Sequence, residues 1–175
     1  ASSSPAGSGC SIRSTRVSCS VGCSACRRSN VQLSLGSTIS RASGSAPLKS
    51  EDIFKAVRAV HKRIKGSYAV IALIAGYGLL AFRDPYGIRP LCMGHGADGT
   101  VMLASESVAL EGTTQVFDRD IAPGEALFVH NDGRVESQQC AEKTQLNPCV
   151  FEYVYLARPD STMDGISVYQ ARLNM

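Results

Sequence analysis

The first clear periodicity along the chain is helical and begins near residue 50. Acidic residues follow Ser50 and basic residues collect before Gly66, an arrangement that suits the helix dipole. The pattern therefore predicts an amphipathic helix that is capped by Ser50 and stopped at Gly66. The apolar residues recur at the spacing of one helix face: Ile53, Phe54, Val57, Val60 and Ile64.

Strand-like segments follow this helix at short intervals. Residues 68–75 are apolar on both faces, which predicts a central strand covered on both sides. The sequence Asn131-Asp132-Gly133 is typical of a hairpin turn, and residues 105–110 are predicted to form a short helix capped by Ser105. Further strands are predicted at 79–82, 91–93, 101–104, 126–130 and 134–137. We therefore expect a mostly antiparallel α+β layered domain.

Composition divides the chain in two. Residues 1–46 contain no acidic and no aromatic residue, but five arginines, fifteen serines and four of the seven cysteines. This segment carries a charge of +5 and the remainder carries −2, so the net charge of +3 does not indicate a nucleic-acid or acidic-membrane surface on the patterned part. No apolar run approaches the roughly 20 residues of a membrane-spanning helix. We expect residues 1–46 to be a disordered, unrelated or frame-shifted leader, or a transit-like segment.

The spacing of the cysteines in this leader raises the question of an iron-sulfur or zinc site. Cys19, Cys23 and Cys26 form C-x3-C-x2-C, which is similar to the cluster-binding loop of radical S-adenosylmethionine enzymes. That interpretation is disfavoured because Ala25 stands where those enzymes usually have an aromatic residue. A zinc site is also disfavoured, since the first histidine is His61 and no second Cys-x2-Cys follows.

Three polar clusters separate the predicted strands, at 83–91, 104–107 and 121–125. In the first cluster, Asp84 is expected to accept hydrogen bonds from turn amides, and Arg89 to clamp a carboxylate or carbonyl groups. We interpret this cluster as a structural loop, with a binding role for Arg89 as the alternative.

The histidines and two further cysteines, whose side chains can bind metals or react, are expected to be structural. The three histidines share no ligand spacing, so each is interpreted as structural or exposed: His61, His95 and His130. Cys92 and Cys140 are expected to pack as small buried hydrophobic residues.

The three clusters, in this order, resemble those of glutamine amidotransferases whose nucleophile is an N-terminal cysteine. A longer stretch reads Asn-Pro-Cys-Val-Phe-Glu-Tyr-Val-Tyr-Leu-Ala-Arg-Pro-Asp-Ser over 147–161, followed by Asp-Gly-Ile-Ser-Val-Tyr over 164–169 and Ala171-Arg172. This stretch narrows the resemblance to the amidophosphoribosyltransferase family, and the likeness covers about residues 49–175. It implies the second half of a four-layer αββα N-terminal-nucleophile domain over 47–146. It also implies an interdomain junction and the start of a phosphoribosyltransferase α/β domain over 147–175.

The resemblance also implies a reaction. In this family a cysteine releases ammonia from glutamine, and the ammonia displaces pyrophosphate from magnesium-bound phosphoribosyl pyrophosphate. The product is 5-phosphoribosylamine, and this is the first committed step of de novo purine biosynthesis. The resemblance implies a homo-oligomer that has no nucleic-acid or membrane partner. Its location would be cytoplasmic, or plastid if the leader is a transit segment.

This sequence departs from the family pattern before the predicted helix. The family's nucleophilic cysteine and oxyanion residues precede that helix, and nothing in residues 1–46 matches them. Cys10, which is followed by Ser11, is no candidate nucleophile. We therefore expect an internal fragment that has no catalytic residues, binds no cofactor and leaves the strand at 68–75 short of its cover.

Two interpretations stay open at this point. The family resemblance implies that Cys149 is an iron-sulfur ligand for a 4Fe-4S cluster in the intact protein, and plain packing is the other interpretation. The chain would otherwise come from another class II amidotransferase such as asparagine synthetase, or would be a non-catalytic interaction module.

Overall fold

The computed structural model describes residues 48–175. The predictions made for residues 1–46, including the C-x3-C-x2-C motif, lie outside the described residues. The elements are α1 (Ser50–Arg63), β1 (Ala69–Ile74), β2 (Gly78–Arg83), β3 (Cys92–His95), β4 (Val101–Ala104), α2 (Ser107–Glu111), β5 (Val116–Asp120), β6 (Glu125–His130), β7 (Val135–Gln139), a π-helix (Glu152–Leu156), β8 (Thr162–Met163), β9 (Ile166–Ser167) and α3 (Val168–Leu173).

The described strands pair antiparallel throughout. One sheet has the order β1-β2-β6-β7, a second has the order β4-β3-β5, and β8 and β9 form a small hairpin near the C-terminus. The turn at 131–133 joins β6 to β7 as predicted, with Gly133 at φ +85°. The expectation of a mostly antiparallel arrangement of strands with added helices is thus confirmed for this part of the chain.

The core is layered because alternate residues of each strand face opposite sides of the sheet. Phe82 of β2 packs in the apolar cluster beneath α1, where Val57 is fully buried. Its neighbour Ala81 faces the other way and packs with Met93 of the second sheet. On the outer side of the second sheet, Leu110 of α2 packs against Cys92 and Ala104. The order of layers is therefore α1, the four-stranded sheet, the three-stranded sheet and α2.

Both predicted serine caps are wrong. Ser50 is the first residue of α1, and Lys49 occupies the N-cap position without a side-chain hydrogen bond. The Ser50 hydroxyl lies 3.4 Å from Nε2 of His130 instead. The N-cap position of α2 is held by Glu106, again without a side-chain cap. In both cases the helix begins one or two residues away from the predicted position, and no side chain caps it.

The predicted end of the first helix is also corrected. Helix α1 ends at Arg63, and Ile64 already has extended backbone angles. Gly66 has φ +108° and lies in the connection to β1 instead of ending the helix.

Among residues 48–175, strand β1 lies at the edge of its sheet, so the predicted central position is not found within this part of the chain. Val70 and Ala72 are buried beneath α1, at 4% and 5% exposure. Ile71 and Leu73 point to the other side and are 38% and 68% exposed. A run that is apolar at every position shows that both faces tolerate burial, but it does not reveal whether a layer covers the second face.

Sequence pattern missed strand β5 entirely. Its residues Phe117, Asp118, Arg119 and Asp120 are mainly charged, so no period-two apolar alternation marks the strand. It forms nonetheless because β3 offers a free edge, to which β5 pairs with a register shift between Met93 and Gly94. Among residues 48–175, no helix has the length and hydropathy needed to cross a bilayer.

Candidate functional site

The loop after β2 is organised around the carboxylate of Asp84, which is fully buried. Its Oδ1 accepts a hydrogen bond from the amide of Tyr86 at 2.9 Å. Its Oδ2 accepts from the amides of Ile88 and Arg89 at 3.0 and 3.2 Å. A carboxylate that accepts several amide hydrogen bonds stabilises a tight turn. The predicted role of Asp84 is confirmed.

Arg83 ends β2 with a side chain that is only 1% exposed. Nε donates to the carbonyl oxygen of Arg89 at 2.6 Å, and the two Nη atoms donate to those of Ile121 and Gly87 at 2.8 Å each. The remaining donors form a bidentate ion pair with Asp164, at 2.7 and 2.8 Å. All five N–H donors of the guanidinium are therefore used, as a buried arginine requires.

Asp164 reaches Arg83 from the turn between β8 and β9. Its φ of +49° lies in the left-handed region, and Gly165 follows with φ +76°. Aspartate tolerates this conformation better than most residues, although a cost of about 1 kcal/mol remains. The ion pair with Arg83 offsets that cost and ties the turn to the main sheet.

Asp120 is a second carboxylate close to this ion pair. Burial and the negative charge of Asp164 raise the pKa of Asp120, and this rise is only partly offset by Arg83 and by hydrogen bonds from the backbone of Asp164 and Gly165. The carboxylates of Asp120 and Asp164 therefore both interact with the positive charge of Arg83.

Arg89 makes a second contact to the C-terminal segment. Its Nη1 donates to Oε1 of Glu152, the first residue of the π-helix, and both side chains are largely buried. The prediction that Arg89 clamps a carboxylate is confirmed. The binding role for Arg89 stays a prediction.

The turn between β4 and α2 makes a third contact. Oε2 of Glu106 accepts from the amide of Arg158 and from the hydroxyl of Ser161, at 2.8 Å each. The hydroxyl of Ser107 accepts from the amide of Thr162 at 2.9 Å. We use "polar junction" for the residues that make these three contacts: Arg83, Arg89, Glu106 and Ser107 on one side, and Glu152, Arg158, Ser161, Thr162 and Asp164 on the other.

The third polar cluster, residues 121–125, supplies one of the carbonyl groups that bind Arg83. The carboxylate of Glu125 accepts two hydrogen bonds from Arg119, at 2.7 and 2.9 Å, and one from the amide of Ala122 at 2.8 Å. Burial by itself raises the pKa of Glu125, but these hydrogen bonds outweigh it and lower the pKa below its usual value. The turn held in this way places the carbonyl of Ile121 on Arg83.

The histidines lie apart from one another. Nδ1 of His61 lies 2.7 Å from the hydroxyl of Tyr68, and burial lowers the pKa of His61. His95 pairs with Asp118 and His130 with Glu136, at 2.5 and 3.0 Å. In the described part of the chain, no three or more potential ligands gather into a metal-binding group.

Two of the cysteines are buried as predicted. Cys92 is 1% exposed and donates to the carbonyl of Ala104, while Cys140 is 4% exposed. Burial raises the pKa of Cys92 to about 12 and that of Cys140 to about 11. Both thiols are therefore protonated and unreactive at neutral pH.

Cys149 is half-buried and lies just before the π-helix, with its amide 3.3 Å from the carbonyl of Ile88. A 4Fe-4S cluster needs four ligands. Among the described residues no three or more potential ligands gather at Cys149, so the donors present do not by themselves fit a cluster. Its role as a cluster ligand stays a prediction that requires ligands from elsewhere.

Sequence reasoning did not foresee the partners in the polar junction. Their separations along the chain are 81 residues for Arg83 and Asp164, 63 for Arg89 and Glu152, and 55 for Glu106 and Ser161. A local pattern holds no information on such distant pairs. One signal was available, because an arginine at the end of an apolar strand requires a carboxylate partner if it is buried.

Comparison with known proteins identifies the same family. A family model described as "Glutamine amidotransferase domain" matches residues 34–112. The amidophosphoribosyltransferase of Haemophilus influenzae is 56% identical over 131 residues, which are 73% of this chain and 26% of the relative. That of Escherichia coli is 51% identical over 133 residues, which are 74% of this chain and 26% of the relative. The chain thus spans about a quarter of the length of these curated relatives.

Solved structures show the same likeness. The glutamine phosphoribosylpyrophosphate amidotransferase of B. subtilis, complexed with ADP and GMP, matches with a TM-score of 0.68 at 29% identity, covering 83% of this chain and 30% of that one. A structure described as the allosteric regulatory enzyme of purine biosynthesis matches with a TM-score of 0.66 at 30% identity, covering 80% and 28%. The predicted resemblance is confirmed: over about three quarters of its length, this chain is homologous to the amidophosphoribosyltransferases.

Proposed function

We propose that this chain is part of an amidophosphoribosyltransferase, in which ammonia from glutamine displaces pyrophosphate from phosphoribosyl pyrophosphate. The product would be 5-phosphoribosylamine, for de novo purine synthesis. The observation that carries the proposal is the 56% identity to the Haemophilus influenzae enzyme over 131 residues. The relatives described above favour this function over that of an asparagine synthetase.

Residues 47–146 would form the second half of a four-layer αββα amidotransferase domain of the N-terminal-nucleophile type. The order of α1, two stacked antiparallel sheets and α2 supports this assignment. Residues 147–175 would form the interdomain junction and the start of the phosphoribosyltransferase domain.

The proposed role of the polar junction is to hold this start at a fixed orientation against the amidotransferase sheets. Arg83, Arg89 and Glu106 make their contacts to the C-terminal segment through side chains that are buried or half-buried. Contacts that are shielded from water resist salt and thermal motion better than exposed ion pairs. A fixed orientation matters because ammonia must reach the second reaction centre before it is lost to solvent.

The chain's own residues would support the reaction without performing it. We propose that the nucleophile and oxyanion residues lie outside this sequence, so that the chain by itself releases no ammonia from glutamine. Magnesium would arrive with the phosphoribosyl pyrophosphate, and we assign no residue of this chain to it. The intact protein would be a homo-oligomer in the cytoplasm or a plastid, with glutamine and phosphoribosyl pyrophosphate as its substrates.

A chimera tests this proposal. Residues 48–175 would replace the matching segment of the Haemophilus influenzae relative, and glutamine-dependent turnover of phosphoribosyl pyrophosphate would be measured. We expect the chimera to be active, because 56% identity preserves the interior against which the rest of the relative packs. The isolated chain, assayed in parallel with glutamine, should release no ammonia above the buffer rate.

Matched variants of the chimera address the polar junction. Asp164→Asn removes the charge that pairs with buried Arg83 and should lower glutamine-dependent turnover more than turnover with added ammonia. Asp160→Asn alters an exposed ion pair with Arg158 in the same segment and should change neither rate. A folded chimera without activity, or an isolated chain that releases ammonia at the relative's rate, would contradict the proposal.

A further inference from the structure

A cavity lies where the end of α1, the loop after β2 and the segment after β7 meet. Its volume is about 450 Å³, which is within the range of protein pockets that hold small ligands. Pro85 and Tyr86 form one wall, and residues 140–143 form another. The third wall consists of the last turns of α1 and the start of the connection to β1, within residues 58–66.

The walls of this cavity are held together by contacts within the described part of the chain. The amide of Asn147 donates to the carbonyl of Tyr86 at 2.7 Å, which ties the segment after β7 to the loop after β2. Lys62 of α1 forms an ion pair of 2.7 Å with Glu142, which joins the other two walls. Asp84 fixes the loop itself by accepting a hydrogen bond from the amide of Tyr86. A ligand would therefore find the cavity largely preorganised.

The lining of this cavity is predominantly basic. Burial lowers the pKa of His61, so four basic side chains and one acidic side chain carry the charge at neutral pH. Basic residues in the last turn of α1, such as Lys62, complement the helix dipole. Lys65 and Lys143 lie outside the helix, and within residues 48–175 neither has a carboxylate oxygen within 4 Å of its ammonium group. The charged residues of the lining are Arg58, Lys62, Lys65, Lys143 and Glu142.

The wall formed by the loop after β2 offers an aromatic surface. Tyr86 is 50% exposed, although its backbone is fixed by the buried carboxylate of Asp84. Pro85 and Ile64 also line the cavity and are half-buried. An exposed aromatic ring packs favourably against another ring or an apolar group. Ammonium groups and an apolar wall in one cavity together suit an organic anion.

We propose that this cavity binds a small phosphomonoester, with the phosphate held by Lys65 and Lys143 and the organic part packed against Tyr86. Lysine ammonium groups bind phosphate as point charges on flexible stems. A cavity of about 450 Å³ accommodates a ligand of this size but not a folded protein partner. Because the carbonyl of Tyr86 accepts from the amide of Asn147, the bound ligand also stabilises the chain that leads into the C-terminal segment. This site does not depend on the proposed function.

Phenyl phosphate and inorganic phosphate are matched probes for the site. Calorimetric titration of the full chain at low salt should show saturable binding of both probes. Phenyl phosphate should bind roughly five-fold more tightly, because its ring packs on Tyr86. The double variant Lys65→Gln with Lys143→Gln should raise both dissociation constants about ten-fold. The matched control is Lys49→Gln with Lys55→Gln, which also removes two charges but alters no residue of the lining, and it should change neither constant.

Tyr86→Ala tests the aromatic wall. This variant should lower the affinity for phenyl phosphate to that for inorganic phosphate and leave inorganic phosphate binding unchanged. In the unsubstituted chain, binding of phenyl phosphate should slow hydrogen exchange at the amide of Asn147, as measured by mass spectrometry. An unchanged preference for phenyl phosphate in Tyr86→Ala would contradict the assigned position of the organic part.

Three further results would overturn the inference. One is the absence of saturable phenyl phosphate binding to the full chain. Another is equal weakening by the two double variants, which would show that the probes respond only to overall charge. The third comes from the chimera with the Haemophilus influenzae relative, where the part of phenyl phosphate binding that requires Lys65 and Lys143 should persist. Its loss there would show that another segment fills the cavity.

Discussion

The guanidinium of Arg83 and the carboxylate of Asp164 form two parallel hydrogen bonds of 2.7 and 2.8 Å across 81 residues of chain. Their side chains are 1% and 9% exposed. This contact ties the C-terminal hairpin to the end of β2, and it is the most buried ion pair of the polar junction. Its stability therefore determines how firmly the C-terminal segment is attached.

Asp164→Asn should destabilise the chain, because it leaves the buried guanidinium of Arg83 without its counter-charge. Asparagine tolerates the positive φ of this position, so the backbone is not newly strained. We expect the free energy of unfolding to fall by about 3 kcal/mol, measured by urea unfolding with circular dichroism. Asp160→Asn changes an exposed ion pair and should leave the unfolding midpoint where it is. Equal effects of the two variants would show that burial of the pair is unimportant.

Asp84→Asn should loosen the loop between β2 and β3. The asparagine side chain has one acceptor oxygen instead of two, so part of the set of amides from Tyr86, Ile88 and Arg89 loses its acceptor. We expect a loss of about 2 kcal/mol in stability and faster hydrogen exchange at these amides.

The control for the loop is Asp98→Asn. Asp98 also accepts a turn hydrogen bond, from the amide of Thr100 at 3.0 Å, but it lies in an exposed turn. Its substitution should speed exchange only locally, at Thr100. Unchanged exchange at Ile88 in Asp84→Asn would contradict the role assigned to the buried carboxylate.

Glu125 should make the fold sensitive to acid. The pKa of Glu125 is lowered in the folded chain, because the hydrogen bonds from Arg119 and Ala122 outweigh burial. A folded pKa below the unfolded value adds stability above the unfolded pKa, about 4.3 for glutamate, and this stability is lost as the pH falls through the folded pKa.

Glu125→Gln tests this dependence. The variant should be less stable than the original chain at pH 7, and the difference between them should shrink as the pH is lowered through the acid range. Urea unfolding at a series of pH values measures it. Glu111→Gln, at an exposed glutamate of α2, serves as the control and should follow the curve of the original chain. A stability difference that stays constant with pH would rule out a titrating contribution from Glu125.

The three described cysteines should differ in reactivity. Burial raises the pKa of Cys92 to about 12 and of Cys140 to about 11, so neither forms an appreciable thiolate at pH 8. Cys149 is half-buried and closer to solvent. We expect iodoacetamide to label Cys149 first in the native chain, as measured by peptide mass spectrometry. In urea all three should react at similar rates, and native labelling of Cys92 as fast as Cys149 would contradict the packing described.

Local pattern was sufficient for much of the fold. The spacing of Ile53, Val57 and Val60 predicts α1, and the turn at 131–133 predicts the hairpin of β6 and β7. Strand β5 was missed because its charged residues conceal it, and its pairing depends on the free edge of β3. Local prediction succeeds where a segment's own periodicity decides its structure, and fails where a neighbouring element decides it.

The candidate site was likewise predicted from the sequence only where the interacting residues are close together in the chain. The sequence predicted that Asp84 would organise its loop, because the amides it binds lie within five residues of it. It also predicted that Arg89 would clamp a carboxylate, but not that Glu152 would supply it. The serine caps were wrong because the helices begin at Ser50 and Ser107, so that Lys49 and Glu106 hold the N-cap positions.

The sequence by itself determined the family, the order of most elements and the Asp84 loop, since these depend on residues that are close together in the chain. Only the tertiary structure decided that β1 pairs with β2, that Asp164 pairs with Arg83 and that Glu106 binds Ser161. The physical reason is distance along the chain. An apolar run shows that a segment can be buried, and a buried charged residue requires a partner of opposite charge. Which residue becomes the partner is decided only when the layers pack and bring distant segments together.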